Sequence, residues 1–314
     1  MRTLDVRFHS ASGLSSDNVC CLATRYDTEI GIKPPWCDSW LVYEDAAGAS
    51  AVYGRQGWFT GLWYSAGNRA FISSAHQQII VIHDLPAYQD QPRTRFDDPR
   101  WTERHDFPAT MMGVFGLSDD YVLAWGNKDA KTGAMYLWNG QTWREIPSPG
   151  PNVTAVHGIA RDLIYAVGYF GFIARWDGAR WHTIPPVTKV ILVAVTVVSP
   201  DEIYACGDGG VLLDGSVHGW ALGLEWPKPL FGVAKFCGDL WVGAQVDGLM
   251  KRDRDTLVPV KPNIKAELLD ARQDLIISAA LAPCTSQDGV AFLGQDPHGP
   301  LYKGLIAAPT VGDW

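Results

Sequence analysis

The fold is decided by residues 155–185, which read AVHGIARDLIYAVGYFGFIARWDGARWHTIP. Residues 113–147, GVFGLSDDYVLAWGNKDAKTGAMYLWNGQTWREIP, are an earlier copy of the same unit. In each copy one tryptophan precedes an Asn-Gly or Asp-Gly pair and a second tryptophan follows it: Trp138 and Trp143, then Trp176 and Trp181. A sequence that copies itself in this way indicates a repeat protein.

The Asn-Gly and Asp-Gly pairs predict β-hairpins, because these residue types tolerate the positive φ of a two-residue turn. A two-residue loop in the first copy pairs Trp138 with Gln141 and Tyr136 with Trp143. Since side chains alternate between the faces of a strand, Tyr136, Trp138 and Trp143 are expected on one face. Indoles that recur at one place in each unit indicate packing, with an aromatic ligand platform as the alternative.

A small residue followed by valine opens four successive units, and its spacing gives the repeat length. The pairs begin at Gly113, Ala155, Ala194 and Gly232, which are 42, 39 and 38 residues apart. Four short strands in about 40 residues are typical of a β-propeller blade. We predict an all-β chain that forms a single β-propeller domain over residues 1–314, with seven blades of four antiparallel strands.

The repeat also sets the expected boundaries of the blades, which are residues 18–58, 59–109, 110–148, 152–187, 191–226, 229–261 and 264–306. Residues 1–17 are expected to supply a strand that completes the last blade, because closure removes exposed sheet edges. Long loops are expected at residues 25–38, 84–100 and 282–287. Long loops on repeat scaffolds often carry binding residues, although a tolerated surface insertion accounts for them equally well.

The first two of these loops contain aromatic and arginine side chains, the types that anchor protein interfaces. The candidate partner-binding residues are Trp36, Tyr88, Arg93, Phe96 and Arg100. The net charge of −8 and the pI of about 5.4 argue against a nucleic-acid partner, which needs a basic surface. The same charge favours a basic protein partner through long-range attraction.

Composition and cysteine usage bear on the compartment. No stretch of 18 apolar residues is present and residues 1–6 lack an apolar leader, so neither a membrane partner nor secretion is expected. The six cysteines do not form a disulfide framework and do not have zinc-site spacing. We expect reduced, buried thiols in a cytoplasmic protein, with no metal and no cofactor.

No sequence motif assigns a catalytic residue, because a nucleophile elbow, a P-loop and H-E-x-x-H are all absent. Aligning the inner strands on the opening pair places His157 toward the axis of the ring, where a structural histidine is the simpler interpretation. Lys235, Glu267 and Asp270 are the other candidates for an acid–base group in a central channel. Such a group would suit a hydrolase or lyase that acts on sugars or lactones.

The units Trp138-Asn139-Gly140-Gln141-Thr142-Trp143 and Trp176-Asp177-Gly178-Ala179-Arg180-Trp181 resemble the W-D-G-x-x-W repeats of bacterial β-propeller proteins. Those proteins are related to the sialidase or Asp-box propellers and to the photosystem-assembly propellers. The resemblance covers residues 111–215, about a third of the chain. It departs from WD40 repeats in lacking their Gly-His and Trp-Asp pair, and from kelch repeats in lacking the double glycine.

The resemblance implies an architecture, and propellers of this kind serve many functions. Small bacterial propellers include immunity proteins that cap a secreted toxin, and this chain is similar to them in size and acidity. We therefore expect a non-enzymatic protein that grips a protein partner, in one version a basic toxin, with one rim of its blades. A structural subunit of a larger bacterial assembly and the channel enzyme described above are the alternatives.

Overall fold

A computed structural model describes residues 3–90, 98–279, 282–294, 296 and 298–308. The chain divides into two compact units. The first, which we call the split unit, contains residues 1–114 and 272–314. The second, which we call the continuous unit, contains residues 115–271.

Seven four-stranded sheets follow one another along the chain, each with its strands in chain order. The strands of the first two sheets are β1 Leu4–Ser15, β2 Asn18–Asp27, β3 Cys37–Asp45, β4 Gly48–Gln56, β5 Phe59–Tyr64, β6 Ala70–Ser74, β7 Gln78–Ile82 and β8 Thr102–Asp106. Those of the next two are β9 Thr110–Ser118, β10 Tyr121–Asn127, β11 Gly133–Trp138, β12 Trp143–Ile146, β13 Val153–Ala160, β14 Leu163–Gly168, β15 Ile173–Trp176 and β16 Trp181–Ile184.

The last three sheets are built in the same way. They contain β17 Leu192–Ser199, β18 Glu202–Gly207, β19 Val211–Ser216, β20 Gly219–Glu225, β21 Gly232–Phe236, β22 Asp239–Gly243, β23 Leu249–Asp253, β24 Thr256–Lys261, β25 Ala266–Ala271, β26 Leu275–Ala279, β27 Cys284–Ser286 and β28 Leu293–Gly294. The described residues also form two α-helices, α1 Leu85–Gln89 between β7 and β8, and α2 Pro300–Ala307 after β28. The prediction of an all-β, seven-bladed propeller with four antiparallel strands in each blade is confirmed.

The two expectations about the first and last sheets are wrong in detail. Strand β1 does not complete the last blade: it pairs with β2 over Leu4–Ser15 and is the first strand of the first sheet. The last sheet takes all four strands from the C-terminal part of the chain. The loop expected at residues 282–287 contains β27, because Cys284–Ser286 pairs with residues 275–277 of β26.

The tryptophan hairpins differ from the predicted register by two residues. Trp138 pairs with Trp143, and Trp176 pairs with Trp181, so four residues form each turn. The Asn139 Oδ1 atom accepts the N–H groups of Gln141 and Thr142, and the Asp177 side chain does the same in its own turn. This side-chain turn replaces the two-residue loop. A shift of two residues keeps the faces unchanged, so both indoles of a pair still lie on one face.

Aliphatic and aromatic side chains from neighbouring sheets form the cores of both units. In the continuous unit the indole pairs contribute to this packing, with ring centroids 5.5 Å apart for Trp138 and Trp143 and 5.4 Å apart for Trp176 and Trp181. Trp138 and Trp176 are 3% exposed, which confirms that the repeated indole is a packing residue. Pairs of this kind contribute about 0.5–1.5 kcal/mol beyond the burial of their area.

Helix α2 packs on the first sheet of the split unit through a buried arginine. The Arg25 guanidinium donates to the carbonyl oxygens of Leu305 (3.1 Å), Ile306 (3.3 Å) and Ala308 at the end of the helix. The same guanidinium bonds the Asp38 carboxylate at 2.7 Å, and both side chains are buried. The last carbonyls of a helix have no partner within it, so Arg25 satisfies groups that burial would otherwise leave unpaired.

Candidate protein-docking surfaces

The structure places the five expected partner-binding residues in different environments. Trp36 lies just before β3 with 57% of its surface exposed. Tyr88, on α1, is buried in the core of the split unit beside Leu85, so its prediction as a surface contact is wrong. Arg100 is exposed and binds the Asp98 carboxylate at 2.6 Å. Arg93 and Phe96 lie outside the described residues.

The two long loops lie at opposite ends of strand β3. Trp36 comes directly before the strand, whereas Gln89 of α1 donates to Asp45 at its far end, with Nε2 and Oδ2 2.7 Å apart. A strand of this length spans about 30 Å at roughly 3.3 Å per residue. Trp36 and the α1 segment therefore do not form one contiguous surface, and the expectation that both loops grip a partner on one rim is corrected.

The contacts of His157 join neighbouring strands. Its Nδ1 atom accepts the backbone N–H of Val197 at 3.0 Å, and its ring lies 5.1 Å from that of Phe115. The hydrogen bond joins the first strands of two neighbouring sheets, β13 and β17. This geometry supports the simpler interpretation, in which the histidine positions strands.

Lys235 binds a different carboxylate from those expected. Its Nζ atom lies 2.7 Å from Glu202 Oε1, and that bond holds the pKa of Glu202 below its ordinary value. Burial, followed by the hydrogen bond to Glu202, raises the pKa of the Tyr204 phenol to about 12. Glu267 accepts a hydrogen bond from Gln245 at 3.1 Å. The described residues contain no cluster of His, Cys, Asp and Glu side chains suited to a metal ion.

The connections of the continuous unit fall at two ends, because each sheet runs up and down in chain order. The first strand joins the second, and the third joins the fourth, at one end, which we call the hairpin end. It comprises residues 119–120, 139–142, 161–162, 177–180, 200–201, 217–218, 237–238 and 254–255. At the other, the linker end, lie residues 128–132, 147–152, 169–172, 185–191, 208–210, 226–231, 244–248 and 262–265.

These two ends carry opposite charge. The hairpin end has six aspartates against three arginines, and the linker end has five lysines against three aspartates. The ion pair between Arg161 and Asp120, 2.8 Å apart, joins two hairpin-end turns from successive sheets. Within this unit the hairpin end is therefore acidic and the linker end is basic.

The linker end contains an apolar groove of 390 Å³. It lies where the turn after β14 meets the connections that flank β13 and β16. Three prolines and three aromatic residues dominate its lining, which comprises Pro149, Gly150, Pro151, Asn152, Tyr169, Phe170, Phe172, Thr183, Ile184 and Pro186. Phe170 at its edge is 75% exposed and Tyr169 is 43% exposed. Large apolar side chains exposed together are typical of interaction sites.

Nothing in the sequence pattern singled out this groove. Tyr169 and Phe170 occupy a short turn, and their spacing matches the repeat. The signal that could have found them is a comparison between copies, since the corresponding turn of the next unit reads Asp208-Gly209-Gly210. An aromatic residue that replaces a turn glycine is an unusual choice for a surface position.

Part of the chain is similar in sequence to one curated protein. The chain is 35% identical over 92 residues to the immune protein Tsi7 of Pseudomonas aeruginosa PAO1. The match covers 29% of this chain and 30% of Tsi7, so less than a third of the relative's length is spanned. No family profile matches the chain.

Comparison with solved structures gives the fold. The WD40 β-propeller domain of Doa1 superimposes with a TM-score of 0.65 at 11% identity, over 89% of this chain and 92% of that domain. The structure of YCF48 bound to D1 peptide gives a TM-score of 0.58 at 11% identity, over 89% of this chain and 91% of that chain. The β-propeller domain of Myceliophteria thermophila Cps50 (Swd1) gives 0.58 at 12% identity, over 92% and 95%. At these identities the likeness shows the propeller fold alone.

No helix among the described residues is long and apolar enough to span a membrane.

Proposed function

We propose that this chain is a non-enzymatic immunity protein that binds and neutralises a protein toxin in the bacterial cytoplasm. The observation that carries the proposal is the 35% identity to the immune protein Tsi7. The propeller fold supports it, because a ring of rigid sheets with variable connections suits protein recognition. The W-D-G-x-x-W resemblance points to the same bacterial setting.

The charge of the hairpin end supports a basic partner. Six aspartates lie in turns at this end, and Asp201, one of them, has 82% of its side chain exposed. An acidic surface speeds association with a basic protein by electrostatic steering, an effect that weakens as salt rises. The hairpin end of the continuous unit is therefore the surface that we assign to the toxin.

The proposal is tested by producing the product of the neighbouring gene with and without this chain. A toxin that arrests growth alone and is tolerated when co-produced, and that co-purifies with the chain, is the expected result. A neighbouring product whose toxicity is unrelieved contradicts the proposal. Stable co-purification without any relief of toxicity would favour the structural-subunit alternative.

Charge-reversal variants test the assignment of the toxin to the hairpin end. The double substitution Asp162→Lys and Asp201→Lys reverses charge at two hairpin-end turns without touching a core residue. We expect association at low salt to slow by about tenfold or more, in line with steering. Asp208→Lys makes one such change at the linker end, and it is the matched control for Asp201→Lys alone. Equal slowing by both variants would place the toxin elsewhere.

A further inference from the structure

We infer that the groove beside Phe170 docks a linear protein segment that presents one apolar side chain flanked by carboxylates. This inference goes beyond the proposed function, because the groove lies at the linker end and the toxin is assigned to the hairpin end. It depends on the shape, backbone conformation and charge of this part of the continuous unit, and on no comparison with another protein.

The groove has the size and lining of a side-chain pocket. Its 390 Å³ lies toward the lower limit of the roughly 300–1,000 Å³ typical of ligand sites, enough for one or two side chains. Pro149, Pro151 and Pro186 form rigid apolar walls, and the Phe172 ring is part of the lining. Such a pocket gains affinity by removing an aliphatic or aromatic side chain from water.

Phe170 is held in a conformation that its side chain disfavours. Its φ of 61° and ψ of 32° lie in the left-handed region, where a bulky residue is an outlier. The corresponding residue of the next sheet is Gly209, with φ 67° and ψ 9°. Because the Phe170 ring is three-quarters exposed, the chain itself recovers little of this cost through burial. Within the fold its ring contacts that of Tyr169, with centroids 6.4 Å apart, and local strain at so exposed an aromatic residue is the basis for inferring an external contact.

The turn that carries Phe170 is rigid. The Gly171 N–H group donates to the Val190 carbonyl at 2.6 Å, and the Phe172 N–H donates to the Tyr169 carbonyl at 3.2 Å. A Cβ atom at Gly171 would lie 2.0 Å from the Thr188 carbonyl oxygen, so the turn and the 185–191 connection are tightly packed. A preformed aromatic anchor loses little entropy on binding, which favours affinity.

Charge at the linker end indicates which residues flank the apolar side chain of the bound segment. Lys189 is exposed and lies three residues after Pro186 of the groove. The linker end as a whole has two more lysines than aspartates, in a chain whose net charge is −8. Lys228 at this end already binds Asp247, whereas no ion pair to Lys189 is found among the described residues. Complementarity therefore selects carboxylates beside the apolar side chain.

The test uses the full chain to select from a displayed library of random linear peptides. We expect enrichment of peptides that carry a large apolar residue with Asp or Glu on either side. An enriched peptide is then synthesised and its Kd measured by calorimetry against the wild-type chain, Phe170→Gly and Lys189→Glu. Phe170→Gly should weaken binding about tenfold or more, as expected of an aromatic hot spot. Lys189→Glu should weaken binding of the acidic peptide and do so less at high salt.

Val290→Gly is the matched control, since it removes an apolar side chain that is 80% exposed on the other unit and should leave the Kd unchanged. Binding that survives Phe170→Gly, enrichment of basic flanks, or no enrichment would overturn the inference. Self-association of the chain that Phe170→Gly abolishes would also overturn it, by making a second copy the occupant. Peptide binding with no relief of toxicity would support this inference and contradict the proposed function. Relief of toxicity with no peptide binding would support the proposed function and contradict this inference.

Discussion

Phe170 and Gly209 hold nearly the same left-handed backbone conformation at the same place in two consecutive sheets. Two residues before each of them lies a glycine with an extended backbone, Gly168 or Gly207, whose φ is −177°. The repeat therefore builds one turn twice, once with the residue that fits the conformation and once with an aromatic residue that does not. The difference separates a structural copy of the turn from a copy that carries a surface contact.

Replacing Phe170 by glycine should stabilise the protein. Relief of the left-handed strain exceeds the extra entropy of glycine in the unfolded chain, so the free energy of unfolding should rise by about 0.5–1 kcal/mol. Chemical denaturation measures the change. Gly209→Ala is the reciprocal variant and should lower the free energy of unfolding by about 1 kcal/mol. A loss of stability in Phe170→Gly would show that the ring packs on the fold.

Asp38→Ala should be strongly destabilising. It leaves the Arg25 guanidinium buried without its carboxylate, and removing one partner of a buried pair costs about 3–5 kcal/mol. The measurement is the free energy of unfolding. Arg100→Ala breaks a bidentate pair whose arginine side chain is 65% exposed, and its effect should be far smaller because water screens the pair. Equal losses in the two variants would contradict the burial of the Arg25 pair.

His9 should make stability depend on pH. Burial, with a smaller effect of the Arg7 charge, lowers the pKa of His9 from 6.5 to about 3. Above pH 6.5 the imidazole is neutral in both states, whereas at lower pH the unfolded chain binds the proton first. Stability should therefore decline as pH falls from about 6.5 toward 3. In His9→Gln the denaturation midpoint should fall less steeply across this window, and identical slopes would refute the assignment.

Native thiol labelling should modify Cys237 first. Cys237 is exposed in the turn after β21, whereas the other five cysteines are buried. Burial raises the pKa of the Cys37 thiol to about 11 and that of Cys21 still further, so these groups are rarely thiolates at neutral pH. Labelling with a chromogenic disulfide should rapidly release one equivalent of the chromogenic thiol per protein chain. Cys237→Ser should remove that fast phase, and its persistence would point to an opening of the core.

Much of the fold could be predicted because the repeat is local. Strand length, the small-residue and valine pair and the recurring indoles follow from contacts within a few tens of residues. The role of β1 was wrong because the choice of sheet for a terminal strand depends on long-range pairing. The hairpin register was wrong because Asn139 and Asp177 bond to their own turns, which favours four residues over two.

The candidate site was harder to predict. Tyr88 has the composition of an interface residue, and only packing against Leu85 and its neighbours decides that it is buried. Trp36 and Gln89 lie in loops of similar character, yet the direction of β3 places them at opposite ends. Lys235 binds Glu202 because the strands that carry them are neighbours in space, a fact that no spacing in the sequence encodes.

The sequence by itself determined that this chain forms seven sheets of four short strands, because alternation, turn chemistry and a period near 40 residues act over short distances. Only the tertiary structure decided which side chains remain in water. The three prolines and three aromatic residues of the groove come from three separate segments, and only the packing of the strands brings them together beside Phe170. Burial and surface charge are sums over distant parts of the chain, and they exist only once the chain has folded.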